Sequence, residues 1–147
     1  MVDHEILLKK LKIYQCHEST VRWFTSYLSE RTHVYINNVL SEPGTIRCGV
    51  PQDSILGSLL FILFINDLPL VLRDSISSTD LYADDTTLSD IHKTKHELKI
   101  SLQNARNKLD NWCTCNGMVV NTGKTKILLI STQKKEINVD SDELCLT

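Results

Sequence analysis

Apolar residues recur along this chain with helical spacing in four places, separated by shorter runs that alternate or are punctuated by turn residues. Val2-Asp3-His4-Glu5-Ile6-Leu7 opens the first predicted helix, with Asp3 placed to cap the free amides and Val2 to staple onto Leu7. A second helix is expected from Ser19 to Glu30, where Val21, Phe24, Tyr27 and Leu28 share one face. His33–Asn38 and Gly44–Cys48 read as a strand pair, and Asn37, Asn38 and Pro43-Gly44 supply turn chemistry between them. Pro51 then ends the strand, Asp53 or Ser54 is available as a cap, and a buried apolar helix is expected to about Asn66, closed by Pro69.

The next stretch is Leu81-Tyr82-Ala83-Asp84-Asp85-Thr86-Thr87-Leu88, two short strand-like runs around an acidic pair. Aspartate is depleted inside strands and tolerates turns, so the pair belongs at or near the connection. Thr94-Lys95-His96-Glu97 has the form of a capping box, and Leu98, Leu102, Ala105, Leu109 and Trp112 step by four and three as an amphipathic helix facing a sheet. Gly117 is placed to end it. Met118–Asn121, a turn at Thr122-Gly123, and Thr125–Ile130 predict a last strand pair, after which residues 132–147 read as an edge or tail. This order predicts an α+β fold: helices packed on one face of a small antiparallel sheet, with the Asp84-Asp85 hairpin exposed at a sheet end or on the open face.

Composition narrows the class. At 147 residues the chain holds one domain with a real core, and 41% hydrophobic with 23% charged residues describes a globular protein. The formal net charge of −2 lacks the basic excess of a nucleic-acid-binding domain, so any such binding needs a local patch. Five cysteines, with an acidic start in place of a basic signal sequence, argue for reduced intracellular thiols and against a disulfide framework. Cys113-Thr114-Cys115 has the wrong spacing for structural zinc. The apolar run Ile55 to Ile65 is too short to cross a bilayer, and no membrane association is expected.

Three segments are candidates for chemistry. Asp84 and Asp85 read either as an ordinary acidic turn or as neighbouring carboxylates offering Mg²⁺ the oxygen ligands it prefers. The Gly49-Val50-Pro51-Gln52 lead into a helix is either a plain cap or a presentation of free amides to a phosphate. His92 and His96, at i, i+4 spacing, could pair on a metal, but with no third ligand evident a solvated helix start is the favoured reading.

Taken together, Gly49-Val50-Pro51-Gln52 before an apolar helix, Tyr82-Ala83-Asp84-Asp85 at a hairpin, and Gly117-Met118-Val119-Val120-Asn121 leading to Lys124-Thr125 resemble the palm of reverse transcriptases from LINE-type (non-LTR) retrotransposons. The connecting segments Trp23-Phe24 to Leu28, Gly57 to Phe61 and Asn66-Asp67-Leu68-Pro69 are similar too, so the likeness covers residues 2 to 131, and residues 1–131 are identified as a partial palm domain. The resemblance implies that Asp84 and Asp85 help hold two Mg²⁺ ions, Asp84 being the principal ligand, for nucleotidyl transfer. It places Tyr82 and Ala83 near the primer end and Gln52 near the incoming nucleotide or its template base. Lys124 becomes a candidate cation near the pyrophosphate, against the alternative of a solvated turn lysine. The implied partners are an RNA template, a DNA primer and deoxynucleoside triphosphates, with oligomeric state left open.

The chain departs from that family in three ways. The first metal-binding aspartate of the pattern would fall just before Met1, and Asp3 belongs to the following helix start as a cap. Asp53 stands where the family has glycine, adding bulk and a negative charge beside an anionic nucleotide. Ser58 stands where proline is usual. Fingers and thumb are absent as well. The expectation is therefore an RNA-directed DNA polymerase by ancestry that is catalytically incomplete alone. The competing class is a non-catalytic palm-derived binding module or a retroelement remnant without function.

Overall fold

The structure is a computed structural model, and it describes residues 1–29, 35–42, 44, 47–50 and 54–130. Helix α1 (His4–Ile13) begins as its sequence dictates: the Asp3 carboxylate accepts from the Ile6 amide at 2.9 Å, and Val2 and Leu7 are both buried. Helix α2 is Glu18–Leu28, beginning one residue earlier than expected because the His17 ring caps it by accepting from the Ser19 amide. Val21, Phe24 and Leu28 face the core as the spacing requires.

The first strand pair differs from expectation. Strand β1 (Tyr35–Ile36) turns back at once onto β2 (Val39–Leu40), with Asn37 at φ 51 and Asn38 at φ 63. Two successive asparagines in the left-handed region are what a two-residue hairpin turn demands, so the chain reverses there. Of the predicted members, residues 33–34, 43 and 45–46 lie outside the described residues. Cys48 pairs with Asp3 instead: the His4 amide donates to Arg47 O at 3.1 Å and the Gly49 amide to Val2 O at 2.6 Å. His4 Nε2–H also donates to Gly49 O at 2.6 Å, and Gly49 sits at φ 98, a conformation that favours glycine.

Helix α3 (Ile55–Ile65) is capped by Ser54, whose hydroxyl accepts from the Gly57 amide at 2.9 Å. It is buried on one side only. Leu60, Phe64 and Ile65 enter the core, while Ile55 is 92% exposed and Leu59 and Ile62 also face outward. The predominantly apolar sequence predicts a buried helix, but α1 packs on one side and nothing among the described residues covers the other. Pro69 does not close this helix. It lies in the first turn of a fourth one, α4 (Leu68–Leu72), where its missing N–H is harmless. The 18 residues Ile55–Leu72 are apolar enough to span a bilayer by length and composition, yet they form two helices broken at Asn66-Asp67, with Leu60, Phe64, Leu68 and Leu72 in the protein core.

Strands β3 (Ser78–Tyr82) and β4 (Asp85–Ser89) form the acidic hairpin, followed by α5 (Lys95–Cys115). The Thr94 capping box is present on both arms at 3.2 Å, and Gly117 ends the helix at φ 63. The α5 stripe meets α4 and Phe64 of α3 rather than a broad sheet. The fold is thus α+β, with the two hairpins forming separate two-stranded sheets. The expected final strand pair does not form among the described residues. Asn121–Thr125 is a hydrogen-bonded turn, and residues 125–130 run on without ladder partners, largely exposed. A β-branched run needs a neighbouring edge to become a strand, and none lies beside it among the described residues.

One polar knot ties the helices. Lys10 of α1, 8% exposed, donates to Phe64 O at 2.7 Å and to Asp67 Oδ1 at 2.6 Å. Its ammonium lies 4.7 Å from the centroids of both Phe64 and Trp112, and Trp112 Nε1–H donates to the same Asp67 oxygen at 3.3 Å. Lysine therefore satisfies a carbonyl that the end of α3 leaves without an intrahelical partner, while the two rings shield its charge from water.

Candidate functional site

The acidic hairpin has a register that sorts its residues onto two faces. Tyr82 pairs with Asp85, Asp80 with Thr87 and Ser78 with Ser89 on the solvent side; Leu81 with Thr86 and Thr79 with Leu88 lie on the half-buried side. Leu81 and Leu88 pack against the core, which holds one face of the hairpin down and leaves the other open. Ala83 and Asp84 make the two-residue turn, and Ala83 is forced to φ 51. Only glycine and, less readily, asparagine or aspartate adopt that region without strain, so alanine there carries about 1–2 kcal/mol.

The turn delivers both carboxylates to solvent. Asp84 and Asp85 are exposed, and among the described residues neither side chain joins a hydrogen bond or ion pair. Tyr82 is 84% exposed and stands directly across from Asp85, on the same face. Asp80 lies further back on that face, its carboxylate accepting from Ser78 Oγ at 3.0 Å. Sequence reasoning passed over Asp80, although the alternation Ser78-Asp80-Tyr82 against Thr79-Leu81 locates it. The described residues contain no cluster of three or more His, Cys, Asp or Glu side chains able to hold a metal. The donor set at the tip is two hard carboxylates, which fits Mg²⁺ with its remaining positions filled by water or phosphate.

The other predicted site residues are not gathered here. Lys124 is exposed in the turn after α5, its amide donating to Asn121 O at 3.1 Å, and makes no ion pair with Asp84 or Asp85. Gln52 and Asp53 lie outside the described residues. His92 is engaged by Asp90 through Nε2 at 2.8 Å and precedes α5, in whose first turn His96 lies. Cys113 is buried and Cys115 exposed; burial first, and then the nearby Asp110 carboxylate, push the Cys113 thiol up.

A further carboxylate, also unforeseen from sequence, sits at the opposite end of the same hairpin. Asp90 follows β4, and its side chain is 5% exposed. It accepts from the hydroxyls of Ser77 and Ser101, from the Ile91 amide at 3.0 Å and from His92 Nε2 at 2.8 Å. Burial pulls this carboxyl up, but the donors from Ser101, Ser77, His92 and Ile91 outweigh it and hold Asp90 well below the usual carboxylate range.

With that geometry in place, comparison with known proteins defines the class. Residues 1–139 match the family described as reverse transcriptase (RNA-dependent DNA polymerase), and the chain belongs to that family. Among curated relatives it is 36% identical over 108 residues to the probable RNA-directed DNA polymerase from transposon BS of Drosophila melanogaster, a match covering 68% of this chain and 12% of that protein. The probable RNA-directed DNA polymerase from transposon X-element, also from Drosophila melanogaster, is 25% identical over 113 residues, covering 75% of the chain and 12% of the relative. The chain thus spans about an eighth of the length of these relatives. No solved structure matches it significantly.

Proposed function

We propose that residues 1–131 are part of the palm of a LINE-type reverse transcriptase and that Asp84 and Asp85 are its contribution to a Mg²⁺ site for RNA-directed DNA synthesis. The observation that carries this reading is the pair of uncommitted carboxylates presented at a strained two-residue turn by a chain of the reverse transcriptase family. Elsewhere among the described residues aspartates are drawn into caps, ion pairs or serine contacts, as at Asp3, Asp67 and Asp90. At the tip they are left free for an external ligand.

Bound at this tip, Mg²⁺ would neutralise phosphate oxygens and lower the pKa of a primer hydroxyl. Asp84 acts as principal ligand and Asp85 as its neighbour. Tyr82, across from Asp85, offers its ring to the primer end, beside the Ala83 backbone. Lys124 supplies a cation to the departing pyrophosphate, and Gln52 contacts the nucleotide or its template base.

Two carboxylates do not complete a two-metal centre, which takes ligands from more than one segment. The chain assayed by itself is therefore expected to bind metal without extending a primer. The test is incorporation of labelled deoxynucleotide on an RNA template with Mg²⁺ or Mn²⁺. No template-dependent product is expected from the chain alone. Product that disappears in Asp84→Asn would overturn the incomplete-centre reading while supporting the assignment of Asp84.

A further inference from the structure

The hairpin is a lever. Its strands are five residues each, so at about 3.4 Å per residue the tip stands roughly 17 Å from the base. A tilt of about 5° at the base would move Asp84 and Asp85 by about 1.5 Å, whereas productive placement of reacting groups tolerates about 0.5 Å. The residues that fix the base therefore act with the Leu81 and Leu88 packing on one face to set where the tip carboxylates point. The turn itself is a two-residue connection without side-chain ties.

Three elements meet at that base. Ser77 leads into β3, Asp90 follows β4, and Ser101 lies on α5. The Asp90 carboxylate joins all three by accepting from Ser77 and Ser101. Ser101 Oγ is also 2.9 Å from Ser75 O, just before β3. Its single proton goes to the charged oxygen in preference, since a bond to an ionised acceptor is about twice as strong as one to a neutral carbonyl. Ile91 and His92 complete the carboxylate's donors from the segment leading to α5. The arrangement is not a nucleophilic triad: serine and imidazole both bind the carboxylate, and no base lies between them.

We propose that Asp90 is a positioning residue for the acidic hairpin, clamping both strand ends to α5 so that the Asp84-Asp85 tip is held in one direction. This rests on the reading of the tip as a metal site, but its test does not depend on metal. Amide residual dipolar couplings and order parameters are measured on the whole chain, for wild type, Asp90→Asn and Ser101→Ala, beside thermal unfolding and Mg²⁺ titration.

In wild type, couplings from 78–89 and from α5 should fit one common frame. In Asp90→Asn the cross-strand contacts of Tyr82 and Asp85 should persist. The hairpin couplings should shrink relative to those of α5, and order parameters at 82–85 should fall from about 0.85 to below about 0.6. Ser101→Ala, which leaves Asp90 its other donors, should show a smaller change of the same kind and carries the test should Asp90→Asn not fold. Mg²⁺-induced shifts at the tip should keep the same concentration dependence in every variant, because both carboxylates ride on the hairpin. A merely structural Asp90 would lower the unfolding temperature and leave the hairpin in the α5 frame, and that result overturns the proposal. Absence of Mg²⁺ shifts in wild type would sink the metal reading alone and leave the clamp to be judged by the couplings.

Discussion

In the helical core, the Asp67 carboxylate receives the Lys10 ammonium at 2.6 Å and the Trp112 indole at 3.3 Å. At the hairpin tip, Asp84 and Asp85 face solvent and take part in none of the side-chain contacts among the described residues. The difference lies in what each region asks of a charge. Between α1, α3 and α5 a carboxylate must be paired, because an unpaired ion in a low-dielectric setting is strongly unfavourable, and pairing it locks the helices in register. At the tip a carboxylate stays hydrated without penalty and keeps its lone pairs available. The first arrangement holds the fold together and the second is spare capacity. Mutations in the two places should therefore separate stability from metal binding.

The largest loss of stability is expected from Phe64→Ala, which opens a cavity at a fully buried ring and removes one wall of the lysine box. About 4 kcal/mol is expected from the denaturation midpoint in urea. Lys10→Met keeps the volume but strands Asp67. Its effect should fall somewhat below the roughly 3–5 kcal/mol of a fully buried pair, because Asp67 is 35% exposed. If Lys10→Met proves neutral, the knot is not what distinguishes the core from the tip.

Asp90→Asn sharpens the contrast from within the hairpin, with a loss of about 1 kcal/mol at neutral pH as an exposed and a half-buried hydroxyl lose a charged acceptor. Because the folded state depresses this carboxyl below its ordinary 3.8, the unfolded chain takes up a proton more readily. The contribution is complete above the unfolded value and drains away as pH falls through 3.8 towards the depressed folded one. The stability gap between wild type and Asp90→Asn should thus narrow on acidification, followed by urea midpoints across that range. A gap that widens in acid would contradict the clamp. Thr94→Ala, which removes one arm of the α5 capping box, should lower stability by about 1 kcal/mol without affecting the tip.

Local chemistry made much of this legible in the sequence. Asp3 capping α1, Thr94 with Glu97 starting α5, Gly117 ending it, and an acidic pair at the turn between two strands are each decided by near neighbours, and each is found as expected. What escaped was decided by partners far along the chain. Lys10 reads as one more lysine on a polar helix until Phe64, Asp67 and Trp112 are brought to it from over fifty residues away. Asp90 reads as a turn residue until Ser101 arrives on α5. Thr125–Ile130 has a strand's composition, but composition does not supply a neighbouring strand. Pro69 was ambiguous in a simpler way, since proline after a helix also starts the next one.

The smallest change in stability, within about 0.5 kcal/mol, is expected at the tip itself, where the Asp84 and Asp85 side chains bond to nothing among the described residues. That near-silence sets up the most direct test of the central claim. Mg²⁺ is titrated into the labelled chain while the Asp84 and Asp85 amides are followed by NMR, with Asp84→Asn as control. The account predicts shifts confined to the tip, with an affinity of about a millimolar or weaker because most ligands remain water, and their loss in Asp84→Asn at unchanged stability. Tip amides that do not move as Mg²⁺ rises well beyond that range, or that move equally in Asp84→Asn, would contradict it.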